Sequence, residues 1–409
     1  MTAFRERGAA AQMDDRPLRS YYTGANPALA VDIDDLRARA HRLTPRFVLE
    51  YLEGGAGQET TLARERAVYG EWLFMPRTLM DEARRDLTRP LLGRDAKMPL
   101  LVGPTGLNGL FRRGADLELA RACARFGLPF VQSTMSNERM ETVAGVEGLR
   151  HWWQLYVFGP DEIWQSLVDR AAACGCEALV VTTNSQVYGQ RQWSTRTRSE
   201  QALPPPAVLF DMLRHPGWLL ATMARGMPEF SNVVDYIPKA HRGFFDSAYW
   251  IRGQMPAALS WRDIARIRAR WKGPMFVKGV LNLEDLDPAL DSGVDGVMMG
   301  SHGGRQADGA VSALDLLGRA KDRVGDRLAL YVSGGLRHGA DLLKALGLGA
   351  DAVIAGRAPL YGLCAYGEAG VYRALEILRD EALNEMAQMG APSPDQLGRL
   401  LIRRDRLPL

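Results

Sequence analysis

The sequence contains few cysteines and no apolar stretch long enough to cross a bilayer. Four cysteines occur in 409 residues, and the closest pair, Cys174 and Cys176, is spaced too tightly for the usual zinc or redox motifs. We interpret them as small buried apolar residues of a protein in a reducing compartment. Residues 1–19 are polar and charged, which does not fit a secretory signal. The predicted location is therefore the cytoplasm.

The sequence also lacks a large excess of either charge. The 51 basic and 48 acidic residues leave a formal net charge of +3, and the basic residues are scattered rather than gathered into runs. This distribution does not indicate a nucleic-acid partner. A composition of 46% hydrophobic and 24% charged residues is typical of a soluble globular protein. We expect neither a nucleic-acid partner nor a bound metal.

Short apolar runs alternate with longer helical patterns along most of the chain. The runs lie at 99–106, 129–134, 151–157, 178–184, 275–280, 296–302, 328–335 and 352–357. Continuous apolar runs separated by helices are typical of parallel strands that are covered on both faces. Eight such units predict a closed (β/α)₈ TIM barrel. The alternative, a doubly wound open sheet, lacks a convincing Gly-x-Gly-x-x-Gly turn after its first strand.

The barrel domain is predicted to cover residues 31–390, with an N-terminal helical extension that begins near residue 32. Residues 1–30 are interpreted as a loose arm and 391–409 as a C-terminal tail. About seventy residues separate the fourth and fifth apolar runs, which predicts a long insertion at about 192–258 over the mouth of the barrel. Its amphipathic segment, 209–227, could contact a membrane surface, and it could equally pack against the barrel rim or against another subunit.

Two neighbouring turns near the end of the predicted barrel combine glycine with arginine. They are Ser333-Gly334-Gly335-Leu336-Arg337 after the seventh run and Gly356-Arg357 after the eighth. Glycine allows backbone N–H groups to approach an anion, a helix N-terminus favours negative charge, and arginine binds phosphate with two donors. The last two strands of such barrels commonly bind phosphate. The pair of turns therefore predicts a phosphate site, although one turn alone would be ordinary loop chemistry.

Two further strand ends carry groups suited to acid–base and charge chemistry. Lys278 lies inside the fifth apolar run, where a buried cation needs an anionic partner. The sixth run ends with His302 and, three residues later, Arg305. Histidine is the natural proton acceptor near neutral pH, and arginine binds a carboxylate in a bidentate manner. A lone histidine is more often structural, but this arrangement predicts a catalytic site.

At this point the chain resembles the FMN-dependent 2-hydroxy acid oxidases and dehydrogenases, the family that includes glycolate oxidase, lactate oxidase and mandelate dehydrogenase. The resemblance runs in order from about Leu36 to Gly390 and is strongest toward the mandelate dehydrogenase type. The matching motifs are Tyr51-Leu52-Glu53-Gly54-Gly55-Ala56, Pro104-Thr105-Gly106-Leu107-Asn108-Gly109, Gln154-Leu155-Tyr156, Val277-Lys278-Gly279, His302-Gly303-Gly304-Arg305-Gln306 and Ala345-Leu346-Gly347-Leu348-Gly349-Ala350-Asp351-Ala352.

The resemblance implies that FMN (flavin mononucleotide) is the cofactor and assigns residues to it. Contacts along one face of the flavin through the backbone are implied for Pro104, Thr105 and Gly106. Hydrogen bonds to the ring are implied for Ser133, Gln154 and Thr182, and Lys278 is implied to stabilise the charge of the reduced ring near N1. The residues implied at the ribityl chain and phosphate are Ser333, Gly334, Gly335, Arg337, Gly356 and Arg357.

The resemblance also implies the reaction, which is the oxidation of a small (S)-2-hydroxy acid to a 2-oxo acid. Tyr51, Arg191 and Arg305 are implied to bind the substrate carboxylate, and Tyr156 the substrate hydroxyl. His302 is implied to take a proton while flavin N5 accepts the hydride equivalent. The electron acceptor is expected to be oxygen or a quinone, and the family suggests a homotetramer. Peripheral contact with the inner face of a membrane, through the insertion, is a further expectation.

The sequence departs from the family pattern beside the catalytic histidine. Asn184 stands where the family has an aspartate that pairs with this histidine. An amide cannot stabilise imidazolium by charge, so the sequence predicts a weaker base. The outcomes left open are a slower enzyme, a larger or modified substrate whose own group compensates, and a flavin-binding protein without turnover. We favour an active enzyme with altered tuning.

Other departures lie in the predicted flavin site. Gly300 and Ser301 replace Ser-Asn before the histidine, and Ser333 replaces an aspartate near the ribityl chain. These changes remove hydrogen-bonding capacity or charge, which predicts a looser flavin. Gly106 matches the mandelate dehydrogenase type, where many oxidases have alanine. This residue favours a dehydrogenase over an enzyme that reduces oxygen.

Overall fold

In the computed structural model, residues 24–81, 84–192, 205–223 and 226–407 are described. Eight parallel strands close into a barrel, which confirms the predicted (β/α)₈ fold. In barrel order from the first strand, they are β4 (Leu100–Val102), β5 (Pro129–Ser133), β6 (Arg150–Leu155), β7 (Ala178–Thr182), β8 (Met275–Val280), β9 (Gly296–Met299), β10 (Ala329–Ser333) and β11 (Ala352–Ala355). Each of the eight apolar runs found in the sequence supplies one of these strands.

Helices surround the barrel and extend it at the N-terminus. Before the barrel lie α1 (Ile33–Leu43), α2 (Arg46–Glu53) and α3 (Thr60–Ala67). The helices between strands are α4 (Ala115–Phe126), α5 (Met140–Ala144), α6 (Asp161–Ala173), α7 (Pro206–Leu213), α8 (Pro216–Met223), α9 (Phe244–Gly253), α10 (Trp261–Arg270), α11 (Leu286–Asp291), α12 (Ala313–Val324) and α13 (Gly339–Gly347). After the last barrel strand come α14 (Arg357–Tyr366) and α15 (Glu368–Gln388).

Local sequence explains where several of these helices begin. Ser260 precedes α10 and Ser312 precedes α12, and each forms a capping box with an aspartate three residues later. The serine oxygen accepts an N–H at the helix start, while the aspartate accepts the N–H of the serine itself. The α1 helix begins after Asp32, whose carboxylate accepts the N–H of Asp35 at 2.7 Å. The caps of α10 and α12 fix helices that follow loops between barrel strands.

The barrel interior is filled by aromatic side chains. Trp152, Phe276 and Tyr331 stack with ring centroids 5.3 Å and 4.9 Å apart along the series, and Phe276 is fully buried. Gly296 makes room for this stack, because a Cβ there would lie 2.5 Å from the Phe276 ring. The interior is therefore a packed core rather than a channel, and it leaves the C-terminal ends of the strands for chemistry.

Two small antiparallel sheets lie outside the barrel. One joins β1 (Trp72–Phe74) to β12 (Leu401–Arg403), and the other joins β2 (Arg89–Leu91) to β3 (Arg94–Ala96). The segment interpreted from sequence as a C-terminal tail therefore contains a strand, preceded by a 3₁₀ helix at Pro394–Leu400. A three-residue strand is too short to leave a periodic signal in the sequence.

The insertion after β7 contains α7, α8 and α9, of which α7 and α8 place apolar side chains in solvent. Within this insertion, residues 193–204 and 224–225 lie outside the described part of the chain, as does most of the predicted N-terminal arm. Trp218 of α8 is buried, its indole N–H donates to the carbonyl of Leu110 at 2.9 Å, and its ring meets Phe47 edge-on at 5.7 Å. The insertion is thereby attached to the mouth of the barrel.

Replacing Phe276 with alanine is expected to lower the free energy of unfolding by about 3–5 kcal/mol. The loss has two parts, the transfer of the ring from water and the cavity left between Trp152 and Tyr331. Urea unfolding followed by tryptophan fluorescence measures it. Leu29→Ala is the control, because Leu29 is exposed and its truncation should change stability by less than about 0.5 kcal/mol. Equal losses for the two variants would contradict the packed-core description.

Candidate active site

A large cavity opens at the C-terminal ends of the barrel strands. Its volume is about 990 Å³, and its lining is mainly apolar with a few charged groups. The sequence-predicted residues on its wall are Tyr51, Pro104, Thr105, Gly106, Ser133, Tyr156, Arg191, Lys278, His302, Arg305, Ser333, Gly334, Gly335, Arg337, Gly356 and Arg357. The fold thus brings together residues from nine different segments of the chain, in the place where barrels of this type carry their active sites.

Three predicted residues stand one layer behind the cavity wall. Asn184 contacts the imidazole of His302, and Thr182 is 1% exposed at the end of β7. Gln154 accepts a hydrogen bond from the Ser133 hydroxyl at 2.8 Å. These side chains can support the wall or reach a ligand that lies deep in the cavity.

His302 sits in a strained backbone conformation at the end of β9. Its φ angle is +60°, and Gly303 and Gly304 continue the left-handed turn at +67° and +71°. A non-glycine residue in this region costs on the order of 1–3 kcal/mol and persists where the surrounding structure imposes it. Gly304 is required here because a Cβ would lie 2.7 Å from the backbone of Leu62 in α3. The turn aims the imidazole into the cavity.

The hydrogen bonds of His302 define which ring nitrogen carries the proton. Asn184 donates through Nδ2 to the carbonyl of Gly300 at 3.4 Å, which turns its Oδ1 toward His302 Nδ1 at 3.1 Å. The Ser185 hydroxyl lies 3.3 Å from the same nitrogen. Nδ1 therefore holds the proton, and Nε2, which lies 3.4 Å from the Tyr156 hydroxyl, is free to accept one.

Burial and positive charge together keep His302 neutral. Burial lowers the pKa of His302 well below its usual value, and Lys278, Arg191, Arg305 and Arg357 lower this pKa further. The charged groups that act most strongly on the imidazole are thus cations, and the amide of Asn184 adds no negative charge to oppose them.

The arginines of the cavity are held by backbone carbonyls and aromatic rings. Arg305 donates to the carbonyls of Tyr51 and Gly54 at 2.6 and 2.9 Å, and its guanidinium lies 4.9 Å from the Tyr51 ring. Arg191 donates to the carbonyl of Arg305 at 3.1 Å. Neutral partners of this kind orient a guanidinium group without cancelling its charge.

The loops after β10 and β11 form a second part of the cavity wall, next to the histidine turn. Gly334 and Gly335 have φ angles of +129° and +69°, a conformation suited to glycine. Arg337 lies over the ring of Tyr361, and Arg357 donates to the carbonyls of Leu52 and Gly303 at 2.9 and 3.0 Å. Burial, followed by the charge of Arg337, lowers the pKa of Arg357 to about 10, so an anion bound here would stabilise its charged form.

The residues fit the FMN that the sequence predicts. Gln154 Nε2 is buried and has no hydrogen-bond partner among the described residues, which is the arrangement expected of a donor that awaits a ring carbonyl. Lys278 is 6% exposed on the wall and makes no ion pair with any described residue. Burial lowers its pKa to about 8, while the carboxylate of Glu65 raises it. An anionic ligand would stabilise this cation.

Sequence reasoning missed several residues of the cavity. Met212, Met223, Met227 and Tyr249 of the insertion line its outer part, as does Arg252. The guanidinium groups of Arg191 and Arg252 lie 4.1 and 4.5 Å from the ring of Tyr188. The insertion residues form an ordinary amphipathic pattern in the sequence. That pattern does not indicate which apolar face covers the barrel mouth.

Comparison with known proteins gives consistent results. A family model described as FMN-dependent dehydrogenase matches residues 40–404. The (S)-mandelate dehydrogenase of Pseudomonas putida is 38% identical over 372 residues, which are 90% of this chain and 93% of that protein. The L-lactate dehydrogenase of Caulobacter sp. (strain K31) is 34% identical over 373 residues, covering 91% and 98% of the two chains.

Solved structures agree with these sequence matches. A crystal structure described as the monotopic membrane protein (S)-mandelate dehydrogenase superposes with a TM-score of 0.87 at 37% identity, covering 92% of this chain and 100% of that one. The crystal structure of a mandelate oxidase with (S)-2-phenylpropionate gives a TM-score of 0.76 at 31% identity, with 91% and 98% coverage.

Replacing Asn184 with aspartate is expected to raise the pKa of His302. The new carboxylate would face Nδ1–H and stabilise the imidazolium, so protonation would begin at a higher pH than in the unaltered protein. NMR titration of ¹⁵N-labelled histidine measures this pKa, and the chain has only six histidines to assign. Asn282→Asp, on the loop after β8, serves as the control with the same chemical change. An unchanged His302 titration in the Asn184 variant would contradict the assigned contact.

Proposed function

The chain belongs to the FMN-dependent dehydrogenase family, and from this membership we propose that it oxidises a small (S)-2-hydroxy acid to the corresponding 2-oxo acid. It is an FMN-dependent oxidoreductase. The observation that carries the proposed reaction is the wall of one cavity on which His302, Arg191 and Arg305 meet. A proton acceptor beside two carboxylate-binding groups is what the oxidation of a 2-hydroxy acid requires.

FMN would be held at three points by residues of this chain. The loops with Gly334, Gly335 and Arg357 would bind the phosphate, Lys278 would lie near the charged edge of the ring, and Gln154 would donate to a ring carbonyl. Bound FMN supplies the two-electron oxidant, and the protein supplies position and electrostatics. The buried Nε2 of Gln154 and the cationic loops support this placement.

The substrate carboxylate would lie between Arg191 and Arg305, with Tyr51 as a neutral donor. The tyrosine hydroxyl donates to the carbonyl of Gly106 at 3.0 Å, so it would turn this one proton to the carboxylate when substrate binds. Burial raises the pKa of Tyr156 to about 12, so this phenol stays protonated and can donate to the substrate hydroxyl oxygen. Two guanidinium groups and two phenols would orient the α-carbon for reaction.

His302 would take the proton at Nε2, since its Nδ1–H is directed to Asn184. The resulting imidazolium is stabilised by no carboxylate at position 184, so the bound substrate carboxylate supplies the nearby negative charge. We therefore propose an active but retuned enzyme. Larger or modified 2-hydroxy acids fit the same reasoning, because the cavity wall beyond the reacting groups is apolar and includes Leu110, Phe111 and Met135.

The insertion is proposed to contact a membrane surface. Its exposed apolar side chains are Leu209, Phe210, Leu213 and Leu220, with 42–73% of each side chain in solvent. Within the part of the chain that the structure describes, no helix is long and apolar enough to cross a bilayer. A similar solved protein is described as a monotopic membrane protein. A cytoplasmic protein at the inner face, with a quinone as electron acceptor, fits these features, and a homotetramer remains a prediction from the family.

The reaction is tested by anaerobic bleaching of the bound flavin. We expect a panel of (S)-2-hydroxy acids, including mandelate and lactate, to reduce the yellow protein. Arg305→Met should lower the efficiency of reduction by about 10²-fold or more, because a charged carboxylate contact is lost. Arg262→Met, on the exposed side of α10, is the control. Yellow protein that no acid of the panel bleaches would rule out the proposed substrate class and favour a flavin-binding protein without this turnover.

The membrane contact is tested by sedimentation with vesicles that contain anionic phospholipid. We expect the protein to sediment with them, and the double variant Leu213→Asp with Leu220→Asp to bind at least about ten-fold more weakly, since two apolar side chains no longer enter the interface. Val31→Asp places the same charge at another exposed apolar site and should have little effect. Equal binding of the double variant and the unaltered protein would argue against this surface.

A further inference from the structure

Glu65 is a buried carboxyl group that neither the sequence motifs nor the proposed reaction uses. It lies on α3, outside the barrel, and is 1% exposed. A carboxylate taken out of water is costly unless hydrogen bonds and opposite charges compensate it. The structure provides both for this side chain, and they come from the loops that form the flavin site.

Two serine hydroxyls donate to the two oxygens of Glu65. Ser301 donates to Oε1, and Ser312 donates to Oε2 at 2.8 Å. Each hydroxyl oxygen already accepts a backbone N–H, from Gly304 for Ser301 and from Asp315 for Ser312. Their protons are therefore directed to the carboxyl group. Burial raises the pKa of Glu65, and the hydrogen bonds from Ser301 and Ser312 oppose this shift by favouring the ionised form.

The same side chain touches both loops of the predicted flavin site. Ser301 directly precedes His302 in the turn after β9. On the other side, a Cβ at Gly334 would lie 2.0 Å from Glu65 Oε2, so the carboxyl group presses against the loop after β10. The Tyr69 hydroxyl, one turn further along, donates to the carbonyl of Gly334 at 2.9 Å. Glu65 thus joins the histidine turn to the phosphate loop.

Charges around Glu65 are mainly cationic on the side of the cavity. Lys278 of β8 and Arg357 at the start of α14 both interact with it electrostatically, and Tyr69 is the neighbouring phenol. For Lys278, Glu65 is the carboxylate that offsets burial, while His302 is the other titratable group beside the amine.

We propose that Glu65 is a positioning residue of the flavin site, a buried counter-charge that keeps Lys278 cationic and fixes the histidine turn against the phosphate loop. Glu65 supplies a negative charge from α3, next to the position where Ser333 replaces the aspartate of the family pattern. This inference rests on membership of the FMN family and on the place of Lys278 in the cavity. It does not depend on which acid is oxidised or on whether the protein turns over.

The first test measures the charge of Lys278 in the protein without FMN. Acetic anhydride acylates neutral amines, so its rate at Lys278, followed by mass spectrometry against pH, reports the pKa of that amine. In Glu65→Gln the loss of negative charge should lower this pKa, since the cation loses its nearby anion. We expect labelling at pH 7 to rise by at least roughly three-fold over the unaltered protein. The exposed Lys272 is the internal reference.

The matched control is Glu71→Gln, which makes the same chemical change six residues away. Glu71 pairs with Arg64 and Arg403 and does not act on Lys278. Its variant should leave Lys278 labelling unchanged. A folded Glu65→Gln protein whose Lys278 labels with the same pH dependence as the unaltered protein would overturn the proposal. If that variant does not fold, the double variant Ser301→Ala with Ser312→Ala serves instead. It removes both hydrogen-bond donors, which should protonate Glu65 and lower the pKa of Lys278 as Glu65→Gln does.

The second test uses FMN binding and not turnover. The affinity of the protein for FMN should fall at alkaline pH as Lys278 loses its charge, and in Glu65→Gln this fall should begin at a lower pH. Glu65→Asp retains the charge and should restore the unaltered pH dependence even where the absolute affinity is lower. If the variants weaken FMN binding equally at every pH, Glu65 has only a structural role, and the proposal that it acts as a counter-charge is overturned.

Discussion

The site depends on the concentration of buried positive charge around one neutral imidazole. Burial lowers the pKa of His302 most, and the charges of Lys278, Arg191, Arg305 and Arg357 lower it further. Cations that share a low-dielectric cavity repel one another, so the arrangement is stable only with anions in or beside it. The phosphate of the cofactor, the carboxylate of a substrate and the buried Glu65 are the anions that the geometry can accommodate.

The barrel can hold these charges at its mouth because its stability comes from another part of the fold. The aromatic stack of Trp152, Phe276 and Tyr331 fills the interior, so the strand ends need not contribute to the core. Those ends can then hold a strained histidine turn and glycine loops that a packed core would not tolerate. Short hydrogen-bonded links from α2 and α3, outside the barrel, replace the packing that the mouth lacks.

The periodic parts of the structure could be predicted from sequence, and the links between them could not. Each barrel strand is a buried apolar run, so its pattern is visible without coordinates, and the polar residues that end it follow directly. Glu65 gives no such signal, because Arg64-Glu65-Arg66 has the appearance of a solvated helix surface. The apolar residues of the insertion that line the cavity give no signal either, because the barrel residues that they meet lie about a hundred or more positions away in the sequence.

The contacts of Asn184 are explained better by the electrostatics of the cavity than by a loss of catalytic function. Its amide satisfies two groups of opposite character, accepting from His302 Nδ1 and donating to the carbonyl of Gly300. A carboxylate would match the first group but would place an oxygen against the second. The amide therefore suits the neutral imidazole and leaves the imidazolium poorly supported. Because the charged groups that lower the pKa of His302 are cations, a bound carboxylate is expected to favour proton uptake, which would couple the basicity of His302 to occupancy of the cavity.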